Sequence, residues 1–188
     1  MKTRLAAVAL ATLLSLPAAA SASDLGYTYA ELRYLDVNPD NGNDADGFTA
    51  IGWYRFSEYA FAIGQYIGTE NERGASNSTI ALGAGAILPL SAQWDAIAIG
   101  TLRETQRETA AGDVDKGGYG AQLGVRGMPI PKLETRLFVN YVDVNDDDTS
   151  VFVSGDYWLS PALAAGVAAE FGGNADTFSL GMRYSFGR

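Results

Sequence analysis

The sequence predicts an all-β protein, a ten-stranded antiparallel up-and-down transmembrane β-barrel. Three observations carry that prediction. After residue 22, segments of strand composition follow one another with almost no helical signal between them. The punctuation between segments alternates between tight turns and longer acidic stretches, which in an antiparallel meander sends the two kinds to opposite ends. The last segment, Thr177 to Phe186, sets Phe178, Leu180, Met182, Tyr184 and Phe186 on one face against Ser179, Gly181, Arg183 and Ser185 on the other.

The N-terminus reads as a separate piece. Lys2 and Arg4 make a basic start, Leu5 to Leu16 is apolar, Pro17 breaks the run, and Ala20-Ser21-Ala22 fits a small-x-small cleavage site. A spanning helix needs roughly 20 apolar residues, so residues 1–22 are expected to be a secretory signal and residues 23–188 the barrel. Cleavage removes two of the 13 basic residues and none of the 22 acidic ones, leaving 11 against 22 and a net charge of −11. A chain so acidic repels nucleic acid. Without cysteine, no disulfide holds it, and a closed hydrogen-bonded ladder is one alternative source of stability.

Strands are expected near 26–36, 48–56, 59–69, 78–88, 94–102, 117–127, 133–142, 150–159, 163–171 and 177–186. Tight turns fall at Ser57-Glu58, Pro89 to Gln93, Met128 to Lys132 and Ser160 to Ala162. The longer acidic loops are Asp36 to Gly47, Glu70 to Asn77, Arg103 to Lys116, Asp143 to Thr149 and Gly172 to Asp176. An even count brings both ends to the side of the tight turns, as in bacterial outer-membrane barrels, whose strands run about 9–11 residues.

Faces follow from alternation. The first strand opposes Ala30, Leu32 and Tyr34 to Tyr29, Glu31 and Arg33; the sixth opposes Tyr119, Ala121, Leu123 and Val125 to Gly118, Gly120, Gln122, Gly124 and Arg126. The seventh to ninth repeat the pattern. Strands two, three and five do not resolve, because Trp53, Gln65, Asp95 and Arg103 spoil either choice. Aromatic residues gather at strand ends (Tyr27, Tyr34, Phe56, Tyr59, Trp94, Tyr119, Tyr141, Trp158, Phe171, Tyr184, Phe186), as interfacial girdles require.

The chain has no histidine and no cysteine, which removes serine-histidine and thiol catalysis and histidine-ligated metals. No cofactor, catalytic residue or specific metal site is expected. The inward charges are the most specific constellation: Glu31, Arg33, Arg126, Glu134, Arg136, Asp156, Glu170 and Arg183. A turn centred on Ile130 sets Arg126 opposite Glu134, a loop centred on Asp146 sets Arg136 opposite Asp156, and closure of the barrel sets Arg183 near Glu31. Such a column is expected to stabilise and partly plug the lumen, since buried charge is tolerable when paired. Glycine or alanine at Gly118, Gly120, Gly124, Ala164, Gly166, Ala168 and Gly181 argues instead for space inside.

The longer loops hold 15 of the 22 acids. The stretch D-V-N-P-D-N-G-N-D-A-D-G, from Asp36, loosely resembles a calcium loop, but its glycine is displaced and no glutamate stands at the twelfth position. Weak divalent-cation recruitment beside lipopolysaccharide is the expected role.

With G-Y-T-Y-A-E-L-R-Y opening the first strand, the D-x-N-x-D-x-x-x-D-A-D-G loop, the G-Y-G-A-Q-L-G-V-R strand and the closing M-R-Y-S-F, the chain resembles the small outer-membrane β-barrel domain family. Within it the likeness is to ten-stranded barrels once proposed as quorum-sensing and immune-elicitor proteins. The resemblance implies a Gram-negative outer-membrane location, Sec export, insertion by the barrel-assembly machinery and no established enzymatic role. Tyr184 and Phe186 are expected to be its assembly signal, although the family pattern ends on the aromatic and here Gly187 and Arg188 follow. The expected function is a non-enzymatic outer-membrane barrel, structural or a narrow passive pore for small solutes; the alternative is a surface adhesion or biofilm-type protein acting through its acidic loops.

Overall fold

All ten expected segments form strands in the computed structural model, which describes residues 25–40, 43–109, 112–144 and 147–186. The expected signal at 1–22 and the tail residues Gly187 and Arg188 lie outside the described residues, as does Asp146. The strands are β1 Tyr29–Pro39, β2 Ala45–Ser57, β3 Ala60–Asn71, β4 Ser76–Pro89 and β5 Trp94–Thr109, then β6 Gly112–Ile130, β7 Leu133–Asp143, β8 Asp147–Trp158, β9 Leu163–Phe171 and β10 Ala175–Ser185. Each pairs antiparallel with its sequence neighbours, and β1 pairs with β10, so the sheet is a closed barrel with no free edge. Closure satisfies every strand's backbone groups without water.

Alternation sorts the side chains as the period of two requires. On β10, Phe178, Leu180, Met182, Tyr184 and Phe186 face out while Arg183 and Ser185 are buried inside. Around the circumference the outer face is apolar, with Leu32, Leu82, Leu123 and Leu102, the last 75 % exposed to the surroundings. Water is a poor solvent for such a belt, and lipid a good one. Its upper border is a set of outward carboxylates, each two residues beyond the last belt position: Asp36 after Tyr34, Asp46 after Phe48, Glu104 after Leu102, Asp176 in front of Phe178. Asp36 and Asp46 are direct cross-strand partners, and so are Asp46 and Glu70.

The three unresolved strands turn their ambiguous residues inward. Trp53 and Asp95 are buried, and Gln65 and Arg103 line the lumen. Alternation alone could not show this, because here the interior is itself largely apolar: Ile63, Ile87, Ile97 and Ile99 share it.

Two expectations about loops are corrected. Arg103 to Lys116, read as an acidic loop, is a continuous ladder from Arg103↔Gly118 to Thr109↔Gly112. Glu104, Gln106 and Glu108 keep one parity and Arg103, Thr105 and Arg107 the other, so the segment stays amphipathic after it leaves the belt. The other acidic stretches shrink the same way; β1 and β2, for instance, extend to Pro39 and from Ala45. The turn read as Met128 to Lys132 is a two-residue turn at Pro131 and Lys132, with Lys132 at φ 68° and an irregularity between Gly127 and Ile130. Two expected girdle residues are also misplaced: Tyr27 and Trp158 are buried inside, because they share parity with Tyr29 and Asp156.

Ahead of β1, the chain leaves the wall. Thr28 still pairs with it, its carbonyl accepting from the Phe186 N–H at 3.0 Å and its Oγ1 from the Arg55 N–H at 3.2 Å. Residues 25–27 then cross the turn end of the barrel to the far side. The Gly26 carbonyl accepts from Arg126 Nη2 at 2.8 Å, Tyr27 donates to Asp95 at 2.6 Å, and Leu25 meets Gln93, Met128 and Pro131 around a recess of about 180 Å³. Since β5 and β6 lie opposite β1 in the ring, this strap spans the mouth.

Candidate functional site

Above the strap two layers fill the lumen. The lower is aromatic: Trp53 stacks on Phe61 at 4.1 Å between centroids, Tyr29 on Trp53 at 5.3 Å and Tyr27 on Phe61 at 5.8 Å. The upper is ionic. Arg126 joins them, its guanidinium 4.4 Å from the Tyr27 ring centroid, and Arg183 lies 4.5 Å from that of Tyr29. A cation over an aromatic face gains from the ring quadrupole, more so when desolvated.

The ionic layer is one connected network. Arg183, on β10, donates through Nε to Glu31 at 2.8 Å, through Nη1 to Glu134 at 2.5 Å and through Nη2 to Asp156 at 3.0 Å. Arg126 holds Glu134 with two donors, at 2.8 and 3.1 Å. Arg136 bridges Glu31 and Asp156, both at 3.1 Å, and donates to Ser154 at 2.9 Å. Arg33 pairs with its strand neighbour Glu31 and reaches Asp156 at 2.5 Å. Every one of these side chains is at most 4 % exposed. Four arginines face three carboxylates, and Asp95, the register partner of Arg126 and fully buried, brings the layer to neutrality.

Seven of the eight residues singled out from the sequence therefore meet. Glu170 does not: it accepts from Asn140 at 2.7 Å and from Ser150, higher in the lumen. Of the three expected cross-strand oppositions, Glu31↔Arg183 is the register found. The other two are corrected. Arg126 stands opposite Arg136, and Glu134 opposite Asp156. Each ladder is shifted by two residues from expectation, through the displaced turn at Pro131 and a loop centred nearer 145 than 146. An even shift keeps every side chain on its face, and the long arginines still reach across the diagonal. Asp95, Tyr27, Tyr29, Trp53 and Ser154 were missed. Asp95 had a signal, a lone carboxylate within the apolar run Trp94 to Leu102.

Small residues serve this packing. A Cβ on Gly166 would lie 2.2 Å from an Asp156 carboxylate oxygen, and one on Gly181 would lie 2.3 Å from Arg33 Cγ. Gly166 and Gly181, taken to leave a passage, thus make room for the charged side chains of neighbouring strands.

Outside the ionic layer the lumen opens. A space of about 400 Å³ lined by Arg33, Gln65, Arg103 and Glu170 leads to one of about 720 Å³ at the outer rim; Val37, Thr69 and Asn77 line both. The barrel is a cup, open outward and filled below. Among the described residues no group of three or more carboxylates is arranged to hold a metal ion.

No protein-family model matches the chain, and no curated protein matches it. Among solved structures it is similar to the KdgM porin, at 10% identity over 83% of this chain and 99% of that one, with a TM-score of 0.46. It is similar also to Neisserial surface protein A, at 15% identity over 85% and 96% with a TM-score of 0.43. A third is Ail, the attachment invasion locus protein of Yersinia pestis, at 14% identity over 86% and 99% with a TM-score of 0.44. The chain's own ladder and surface decide the class. A closed ten-stranded antiparallel ring, an apolar belt outside and a polar, ion-paired interior make it a transmembrane barrel of the bacterial outer membrane.

Proposed function

We propose that the protein is a non-enzymatic outer-membrane barrel with a structural role, closed to solute flow. The observation that carries this reading is the ionic layer, whose arginines and carboxylates meet across the lumen at 0–4 % exposure and leave no wetted path between them. The aromatic layer and the strap at residues 25–27 add two more barriers beneath it. The narrow-pore reading would need a continuous passage, and the acidic-loop adhesion reading has less support because most of the acids sit on ladder positions. The outward carboxylates at the top of the belt would meet lipopolysaccharide phosphates through divalent cations, and Tyr184 and Phe186, exposed on the last strand, would be read by the assembly machinery.

Planar-bilayer recording tests the closed reading. The wild type is expected to give no conductance steps, and Arg136→Ala/Asp156→Ala, which empties the centre of the layer, is expected to give small ones. Regular steps from the wild type would overturn it.

A further inference from the structure

The outer rim of the cup separates charge by face. On the β5–β6 hairpin above the belt, Glu104, Glu108, Asp113 and Asp115 point out, whereas Arg103, Arg107 and Lys116 point in. Thr105 is the direct partner of Lys116, so Arg103 and Arg107 are both diagonal neighbours of that lysine on the inward face. Arg73, from the β3–β4 link, lines the same 720 Å³ space with Arg107 and Lys116, and no carboxylate among the described residues lines it. None of the side chains of Arg73, Arg107 and Lys116 has an ion-pair partner among the described residues, in a chain with 22 acidic residues against 13 basic ones. Like charges gathered on diagonal positions of one face repel one another. Three bases gathered around one space of an acidic protein make sense when an anion neutralises them.

We propose that this cup is an outward-facing binding site for a phosphorylated sugar. Arginine forks and a lysine point charge are the groups that hold phosphate oxygens. Asn71, Asn77 and Thr105 on the same walls offer amide and hydroxyl partners to sugar hydroxyls. The site lies outside the ionic layer, so ligand enters and leaves from the external side, and the proposal stands whether or not the barrel conducts. The phosphorylated sugar comes either from the envelope's own glycan or from free solute.

The test is calorimetry on the full mature chain folded in neutral detergent micelles. Glucose 1,6-bisphosphate is expected to bind saturably, more weakly as salt rises, with no heat from glucose itself. Arg107→Ser/Lys116→Ser is expected to weaken binding by about tenfold or more. Glu108→Gln/Asp113→Asn, on the outer face of the same hairpin, is expected not to weaken it. Unchanged heat-modifiable gel mobility establishes folding of each variant, and Arg73→Ser, in a link, supplies a second variant if the hairpin pair fails to fold. Competition by phosphorylated lipopolysaccharide core oligosaccharide would assign the envelope glycan, and binding of the bisphosphate without such competition would assign a free solute. Absence of saturable binding by both anions, or full affinity in the Arg107/Lys116 variant, would overturn the proposal.

Discussion

Arg183 is the residue on which the interior turns. It is almost wholly buried and touches Glu31, Glu134 and Asp156, carboxylates from three strands, while stacking on Tyr29. Replacing it removes no net attraction that packing could not supply, but leaves three buried carboxylates short of a partner, and that imbalance is what costs. Arg183→Met is expected to lower stability by roughly 3–5 kcal/mol. Glu170 offers the contrast, since it accepts from neutral Asn140 and Ser150 at the wetter level of the cup. Glu170→Gln is expected to cost about 1 kcal/mol. Urea unfolding midpoints of the two variants in micelles check both, and a loss in Arg183→Met no larger than in Glu170→Gln would refute the hub role.

At the level of the strand, parity was legible and register was not. Alternating residues in β1, β6, β7 and β10 announce which face a side chain takes, and the structure keeps those faces. Where the ladder is pinned depends on the turn, and a two-residue turn at Pro131 and Lys132 reads in sequence much like a five-residue one. An oxidative cross-link decides between the registers, and the absence of native cysteine makes the experiment clean. Val125→Cys with Leu137→Cys, direct partners across β6 and β7, is expected to form a disulfide efficiently. Val125→Cys with Thr135→Cys, partners in the expected register, is expected to cross-link poorly; the reverse order would put the turn back at Ile130. Strand ends were misjudged for a different reason. Acidic composition marks the level at which the wall leaves lipid, and the ladder continues past it because outward carboxylates at that height are solvated.

Considered whole, the molecule is a wall whose two faces exchange the usual roles. The outer face must suit lipid over the full belt, and the inner face must pair the charges it buries. Unboiled folded protein is therefore expected to migrate differently from boiled protein on a gel. Met182, an outward residue near the middle of the belt, supplies the control. Met182→Arg is expected to cost roughly 2–4 kcal/mol near the bilayer midplane and to reduce the folded band. If the arginine variant folded as well as wild type, the belt would not be a lipid-facing surface.

The sequence by itself determined the strand count, the antiparallel order, the faces of six strands and seven of the charged residues that meet inside. These follow from period-two alternation and from the scarcity of places where a charge can be tolerated, both of which are local. The tertiary structure alone decided which charges touch, that β2, β3 and β5 turn aromatic and aliphatic groups inward, and that Gly166 and Gly181 make room for Asp156 and Arg33 instead of for a channel. It also drew Tyr27 and Leu25 across the mouth and gathered Arg73, Arg107 and Lys116 around one space. Those outcomes depend on the register of closure, a property of the ring as a whole, which sets residues a hundred or more positions apart, such as Arg33 and Asp156 or Arg126 and Gly26, within a hydrogen bond of each other.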